Sequence, residues 1–200
     1  GATPTLSGLA VGAYGVTQAG LQIPFGLMSD KFGRIPVIAV GLLIFIAGSV
    51  VAALATDIWS LIGGRVLQGA GAISAAVTAL LADRTRDIVR TRAMAIVGIS
   101  IGTTFMLSMI LGPALAGMAG VSSLFWLSAA LGVGALILLL VVLPKAVEQE
   151  KVHHPDKPRF LDTLRDAELL RLYTGVFLLH AAVTALFVAV PFALRDVAGL

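Results

Sequence analysis

The chain has 200 residues, of which 58% are hydrophobic and 12% charged, and its mean hydropathy is +0.99. A soluble domain of this size has about a quarter of its residues charged, and it could not cover so much apolar surface. The chain has no cysteine, which excludes disulfides, thiol catalysis and cysteine metal sites. The composition therefore indicates an all-α, polytopic membrane protein, because a helix of about 20 apolar residues crosses lipid with its backbone satisfied.

Six apolar stretches are long enough to be membrane-spanning helices, at residues 5–28, 36–55, 60–82, 93–117, 122–143 and 169–192. The one long polar segment, residues 144–168, is predicted to be a cytoplasmic linker with a short amphipathic helix at residues 160–170. Only five spans precede the linker, and the chain begins without a methionine. We therefore expect part of a longer protein, in which residues 1–143 form a bundle lacking its first helix and residues 169–200 begin a second bundle.

Basic residues follow alternate spans, which predicts the orientation of the chain. Lys or Arg residues occur after the first, third and fifth spans, whereas residues 56–59 and 118–121 contain none. Short loops rich in Lys and Arg lie on the cytoplasmic side, so the odd-numbered spans are predicted to end there. The net charge of +3 is explained by this topology, so we expect the lipid bilayer as a partner and no nucleic acid.

The loop after the first span contains Gly26, Asp30, Lys31, Gly33 and Arg34 at fixed spacing. Gly33 permits a tight turn, and Gly26 permits close helix approach. The pattern resembles the motif between the second and third helices of the major facilitator superfamily, although a second base is common after the arginine and isoleucine stands here. The alternative is an ordinary basic cytoplasmic loop.

Asp83 ends the third span and is the predicted ion-pair partner of Arg34. The resemblance implies that Asp30, Arg34 and Asp83 form an ion network on the cytoplasmic face that favours the outward-open state. A contact made of charges can break and re-form as the halves of a transporter rock, which suits a gate. The alternative is that these charges determine topology only.

Arg65 lies within the third span, about six residues or roughly 9 Å from its outer end. An intramembrane cation costs a few kcal/mol or more, so it normally faces a polar cavity or a partner. Gln68 lies about one turn away and is its predicted hydrogen-bond partner. With Gly69, this segment is similar to a fourth-helix motif of the same family. The arginine is predicted to tune a proton-carrying acid or to attract an anionic group; the alternative is an arginine that extends to the outer interface.

The fourth span contains Gly112, Pro113 and Gly117, which in part resemble the fifth-helix motif of antiporters in this family. Proline kinks a helix, and small residues let a neighbour pack closely. The alternative is a generic kinked membrane helix. This motif alone separates efflux from uptake.

Tyr14, Gln18 and Gln22 recur every four residues in the first span and form a polar stripe. The stripe is predicted to face a central cavity, with helix packing as the alternative. His180 is the only histidine within a predicted span, and it is not predicted to carry protons.

The resemblance covers essentially the whole chain, and it is closest to bacterial drug:proton antiporters. It implies the major facilitator fold, about helices 2 to 7 of 12, in the bacterial inner membrane, and a monomer that exchanges small amphipathic compounds for protons by alternating access. No enzyme activity, cofactor or metal is expected. The alternatives are a sugar or metabolite symporter or facilitator of the same fold, and a non-transporting receptor or scaffold.

Overall fold

The computed structural model describes residues 4–71, 73–143 and 166–198. These residues form seven helices: α1 (Pro4–Phe32), α2 (Arg34–Ala53), α3 (Ile58–Ala70), α4 (Ser74–Arg84), α5 (Asp87–Ala119), α6 (Val121–Val142) and α7 (Ala167–Ala198). The chain divides into two compact units: Gly1–Val147, which contains α1 to α6, and Glu148–Leu200, which contains α7. Residues 144–165 of the predicted linker, and most of its predicted amphipathic helix, lie outside the described residues.

Two pairs of helices are joined by a single glycine. Gly33 connects α1 to α2 with φ of 97°, and Gly120 connects α5 to α6 with φ of 78°. Residues other than glycine rarely adopt a backbone conformation with positive φ. The tight turn predicted at Gly33 is therefore present, and it brings the end of α1 next to the start of α2.

Helix α3 begins with a complete capping box. The Asp57 carboxylate accepts hydrogen bonds from the backbone N–H groups of Trp59 and Ser60 at 2.8 and 2.9 Å. The Asp57 N–H in turn donates to the Ser60 hydroxyl at 3.4 Å. These bonds satisfy N–H groups that the first turn of any helix leaves free.

Helix α2 lies at the centre of the first unit and packs against α1, α3, α4 and α6. A small apolar core joins α2, α4 and α6, and its buried members are Ile38, Leu42, Ala76, Leu80 and Leu139. Helix α5 differs from α2 because none of its residues is buried, although it is 33 residues long.

The contact between α2 and α3 is made through two pairs of glycines, and the members of each pair are seven positions apart. Gly41 and Gly48 lie on α2; Gly64 lies on α3, and Gly71 follows its last residue. A methyl group added at Gly48 would lie 2.3 Å from the backbone nitrogen of Gln68, and one at Gly71 would lie 2.5 Å from the carbonyl oxygen of Gly41. A spacing of seven places successive glycines on the same helix face. The two backbones are therefore in direct contact, as small residues permit in membrane helices.

The third span, predicted over residues 60–82, corresponds to the helical segment Ile58–Arg84, which is divided into two helices. Helix α3 ends at Ala70 and α4 begins at Ser74. Glycine is a poor helix former, and Gly71 adopts φ of −77° and ψ of 40°, outside the helical region. The interruption packs on α2, where a methyl group at Gly41 would overlap the Ile73 side chain.

Four helical segments among the described residues are long and apolar enough to cross a membrane: Arg34–Ala53, Ile58–Arg84, Asp87–Ala119 and Val121–Val142. The second includes the interruption. Helices α1 and α7, which contain the first and sixth predicted spans, are not among them. The polar stripe and the glycines of α1 lower its mean hydropathy. The ends of α2 and α6 agree with the predicted spans to within two residues, whereas α1 and α5 extend beyond them by about one turn or more.

Candidate functional site

A charge cluster of Asp30, Arg34 and Asp83 joins the ends of three helices. The Arg34 Nη1 atom lies 2.5 Å from Asp30 Oδ1, and its Nε atom lies 3.0 Å from Asp83 Oδ2. Only 15% of the Arg34 side chain is exposed, against 37% and 41% for the two carboxylates. The predicted pairing of Arg34 with Asp83 is present, and it links the α1–α2 turn to the end of α4.

Ser29 also binds the guanidinium group of Arg34. The serine is 1% exposed, and its hydroxyl donates to the carbonyl oxygen of Gly26 at 2.7 Å. Because the hydroxyl hydrogen is used in this way, the oxygen accepts from Arg34 Nη1 at 2.6 Å. Arg34 is therefore held by three groups, of which Asp83 alone lies outside the α1–α2 turn.

A second, buried polar cluster surrounds Arg65 in α3. The Arg65 Nη1 atom donates to Gln68 Oε1 at 2.7 Å, and its Nε atom donates to the Ala10 carbonyl oxygen at 3.4 Å. The ring of Tyr14 lies 4.4 Å from the guanidinium carbon, in a cation–π contact. Gln68 Nε2 donates to the hydroxyl of Ser49 at 2.7 Å. The predicted bond between Arg65 and Gln68 is therefore present, and Gln68 is 2% exposed.

The charge of Arg65 is not balanced by a carboxylate among the described residues. Its oxygen partners are one amide and one backbone carbonyl, and the ion pairs in that part of the chain involve other arginines. Guanidinium carries five N–H donors, and two of its nitrogens donate here. The guanidinium group can therefore donate hydrogen bonds to a further acceptor or to an anion.

The predicted polar stripe on α1 has two different environments. Tyr14 packs on Arg65, and the backbone carbonyl of Tyr14 would lie 2.4 Å from a methyl group added at Gly69. Gln18 and Gln22 are half-buried. The Oε1 atom of Gln22 is buried and has no hydrogen-bond partner within the described residues. A buried amide oxygen without a partner costs free energy, so this atom is a candidate for contact with a ligand.

Three other residues that the sequence singled out have ordinary local surroundings. A methyl group at Gly26 would lie 3.6 Å from the Ala75 side chain, which is an ordinary contact, so packing does not require glycine there. Lys31 is exposed and lies over the neighbouring Phe32 ring at 5.3 Å. His180, in the second unit, has its Nδ1 atom 2.9 Å from the Val176 carbonyl oxygen.

The structure does not bring the predicted antiporter motif to either cluster. Gly112 and Gly117 have open space around the position of an added methyl group, and Pro113 lies in the same helix, α5, which buries no residue. The role predicted for these three residues stays a prediction.

Sequence reasoning missed Ser29 and Ser49, which are 1% and 0% exposed, and it missed the seven-residue spacing of the glycines on α2 and α3. The spacing was visible in the sequence, as was the position of Ser29 beside Asp30. Nothing in the sequence alone distinguished Ser49 from the other serines of the helices. No group of histidine and acidic residues that could hold a metal ion is found in the described ranges.

Comparison with known proteins gives one family for the whole chain. The model of the Major Facilitator Superfamily matches residues 1–200. The chain is 46% identical over 198 residues to the inner membrane transport protein YajR of Escherichia coli K12, covering 98% of this chain and 44% of that protein. It is 33% identical to a triacylglyceride transporter of Mycobacteroides abscessus, over 78% of this chain and 29% of that protein.

A further relative is multidrug resistance protein 2 of Bacillus subtilis strain 168, which is 31% identical over 79% of this chain and 41% of that protein. The chain thus spans less than half the length of each of these three relatives.

Proposed function

Because the chain belongs to the major facilitator superfamily, a family of transporters rather than enzymes, we propose that it is part of a proton-coupled efflux transporter in the bacterial inner membrane. The membership confirms the predicted fold class. The similarity to an inner membrane transport protein supports the location. A relative named for multidrug resistance supports the proposed small, amphipathic substrate, and one named for triacylglycerides supports a lipophilic one.

The observation that carries this proposal is the half-buried Arg65, held by Gln68 and Tyr14 and lacking a carboxylate partner in the described part of the chain. A cation inside a membrane costs several kcal/mol unless it is paired or hydrated. An acid that approaches Arg65 is therefore stabilised when it is ionised, and it loses that stabilisation when it is protonated. A group of this kind couples proton release to a change of conformation.

The charge cluster supplies the second element of the mechanism. Its pairs lie at the ends of α1, α2 and α4, which are predicted to be cytoplasmic. In alternating access this cluster closes the cytoplasmic side while the substrate leaves outward, and it opens when the Arg34–Asp83 pair separates. The two carboxylates are more than a third exposed, and pairs at the surface are worth only about 0.2–1 kcal/mol, so separating them costs little free energy.

We further propose that residues 1–143 belong to the N-terminal half of the transporter, 144–168 to the linker and 169–200 to the second half, and that the protein acts as a monomer.

The test uses the complete protein in inverted membrane vesicles with an imposed proton gradient. Proton release is followed while lipophilic cations and small metabolites are added, and the wild type is compared with Arg65→Ala and Asp30→Asn. Substrate-evoked proton movement that both substitutions abolish, at equal protein abundance, is expected. Asp87→Asn is the matched control, because Asp87 pairs with Arg90 within α5 at 2.7 Å.

Exchange of labelled sugar without proton movement would instead establish a facilitator. Absence of movement with every compound tested would favour a non-transporting receptor.

A further inference from the structure

Ser49 on α2 is buried, and its hydroxyl lies between the backbone of its own helix and a side chain of α3. It is 0% exposed. The hydroxyl donates to the Phe45 carbonyl oxygen at 2.8 Å and accepts from Gln68 Nε2 at 2.7 Å. Gln68 is the residue whose other amide atom, Oε1, receives the hydrogen bond from Arg65. Ser49 is therefore connected to Arg65 through one side chain.

The direction of every bond in this chain is fixed by its two ends. The Phe45 carbonyl oxygen can only accept a hydrogen bond, and Arg65 can only donate. The Ser49 hydroxyl donates to Phe45, so its oxygen is available only as an acceptor. Gln68 must then present its NH₂ group to Ser49 and its oxygen to Arg65. The opposite amide orientation would place two donors face to face at Arg65.

The packing of α2 against α3 keeps Ser49 and Gln68 in register. Gly48, the neighbour of Ser49, lies so close to α3 that an added methyl group would be 2.3 Å from the backbone nitrogen of Gln68. The backbones carrying the two side chains are thus in contact, and neither side chain has solvent as an alternative partner. Removal of one hydroxyl would leave the buried Gln68 NH₂ group unpaired.

We propose that Ser49 is a positioning residue, which orients the amide of Gln68 and thereby holds the guanidinium group of Arg65 in place. The positioning itself follows from the hydrogen bonds; its importance for transport rests on the function proposed above. The experiment therefore has a structural readout and a transport readout, whose failures can be told apart.

The structural readout is the melting temperature of the complete, purified protein in a double-mutant cycle of Ser49→Ala and Arg65→Met. We expect Ser49→Ala to lower the melting temperature by at least about 2 °C more when Arg65 is present than when it is absent. In a Gln68→Met background the two substitutions are expected to be additive, because the connecting amide is gone. Additivity in the wild-type background would overturn the proposal.

The transport readout is substrate-evoked proton movement in vesicles. Ser49→Ala is expected to lower kcat/KM about tenfold, because the buried Gln68 amide loses one hydrogen bond and leaves an unpaired N–H group. The matched control is Ser128→Ala, since the Ser128 hydroxyl also donates to the carbonyl four residues earlier, at 2.8 Å, and has no side-chain partner among the residues that the structure describes. Equal transport by the two variants would overturn the positioning role.

Two further results separate the alternatives. If Ser49→Ala fails to accumulate in the membrane, Gln68→Met decides the question, because it removes the Ser49–Gln68 bond together with the Gln68–Arg65 bond and leaves no unpaired amide. It is expected to show at least a tenfold loss, and wild-type transport would overturn the proposal. If the wild type moves no protons, the proposed function fails, and the melting-temperature cycle alone decides whether Ser49 positions Arg65.

Discussion

Gly64 on α3 lies directly against the backbone of Ala52 on α2. A methyl group added at Gly64 would be 2.6 Å from the Ala52 nitrogen and 2.8 Å from its Cα atom. Both atoms belong to the backbone of a helix, so they cannot move aside as the end of a flexible side chain would. The separation of α2 from α3 is therefore set by glycine at this position.

Substitution of Gly64 by alanine is expected to destabilise the protein by about 1–3 kcal/mol, because the methyl group forces the two helices apart. The neighbouring Gly63 is the control, since an added methyl group there meets nothing within 4 Å. Gly63→Ala is expected to be neutral or stabilising by up to about 1 kcal/mol, because alanine favours the helix. The measurement is thermal unfolding of the complete protein in detergent. Equal melting temperatures for the two variants would contradict the described α2–α3 contact.

Substitution Asp83→Asn removes the one member of the charge cluster that lies on α4. We expect the cytoplasmic side to open more often, with a loss of stability of less than about 1 kcal/mol, because the pair is partly exposed. The measurement is the labelling rate of a cysteine placed at Ala79, on α4, in a cysteine-free background. Asp87→Asn, which breaks a pair within α5 only, is expected to leave the rate unchanged. An unchanged rate in Asp83→Asn would remove the gate role.

The cap of α3 predicts a pH dependence. Hydrogen bonds from the Ser60 backbone and side chain, with a further bond from the Trp59 N–H, hold the pKa of Asp57 below its ordinary value of 3.8. A carboxylate with a lowered pKa adds stability above its unfolded-state pKa, and this stability is lost as the pH falls through the folded-state value. The melting temperature of the wild type should therefore fall more steeply than that of Asp57→Asn below about pH 4. Parallel curves for the two proteins would show that the cap does not titrate.

Gln22 is expected to show opposite effects on stability and transport. Its buried Oε1 atom has no partner in the described part of the chain, so Gln22→Met should be neutral or stabilising by about 1 kcal/mol. If the amide binds substrate, the same variant should raise KM. Gln18→Met serves as the comparison on the same helix face. A strongly destabilised Gln22→Met protein would show that the amide has a structural partner.

The sequence predicted the structure correctly where a residue type can be placed in only one kind of environment at low free energy. The length of apolar runs predicted α2 and α6 well, and the burial of a cation predicted that Arg65 would bond to Gln68. Charges at the ends of spans predicted the pairing of Arg34 with Asp83. The predictions for α2, α6 and Arg65 depend on large free energies, namely the transfer of apolar surface and of charge into lipid.

Other features depend on contacts that are not encoded locally. Gly71 is compatible with a continuous helix or with an interruption, and the contact with Gly41 on α2 selects the second. A serine in a helix usually bonds the carbonyl four residues earlier, as Ser128 does, so the added bond between Ser49 and Gln68 could not be read from the sequence. The open space beside Gly112 was likewise not predictable, because it depends on how the other helices pack.

The interruption between Ala70 and Ser74 has a consequence for the order of events in a transport cycle. A continuous helix would carry any rotation at Asp83 to Arg65, because its hydrogen bonds make it stiff along its whole length. Here that stiffness ends between the two residues, and the glycine contacts fasten α3 to α2. In the transporter proposed above, the Arg34–Asp83 pair would then separate while Arg65 stays in its bonded arrangement, and we expect unlocking and proton exchange to be two steps with separate rates.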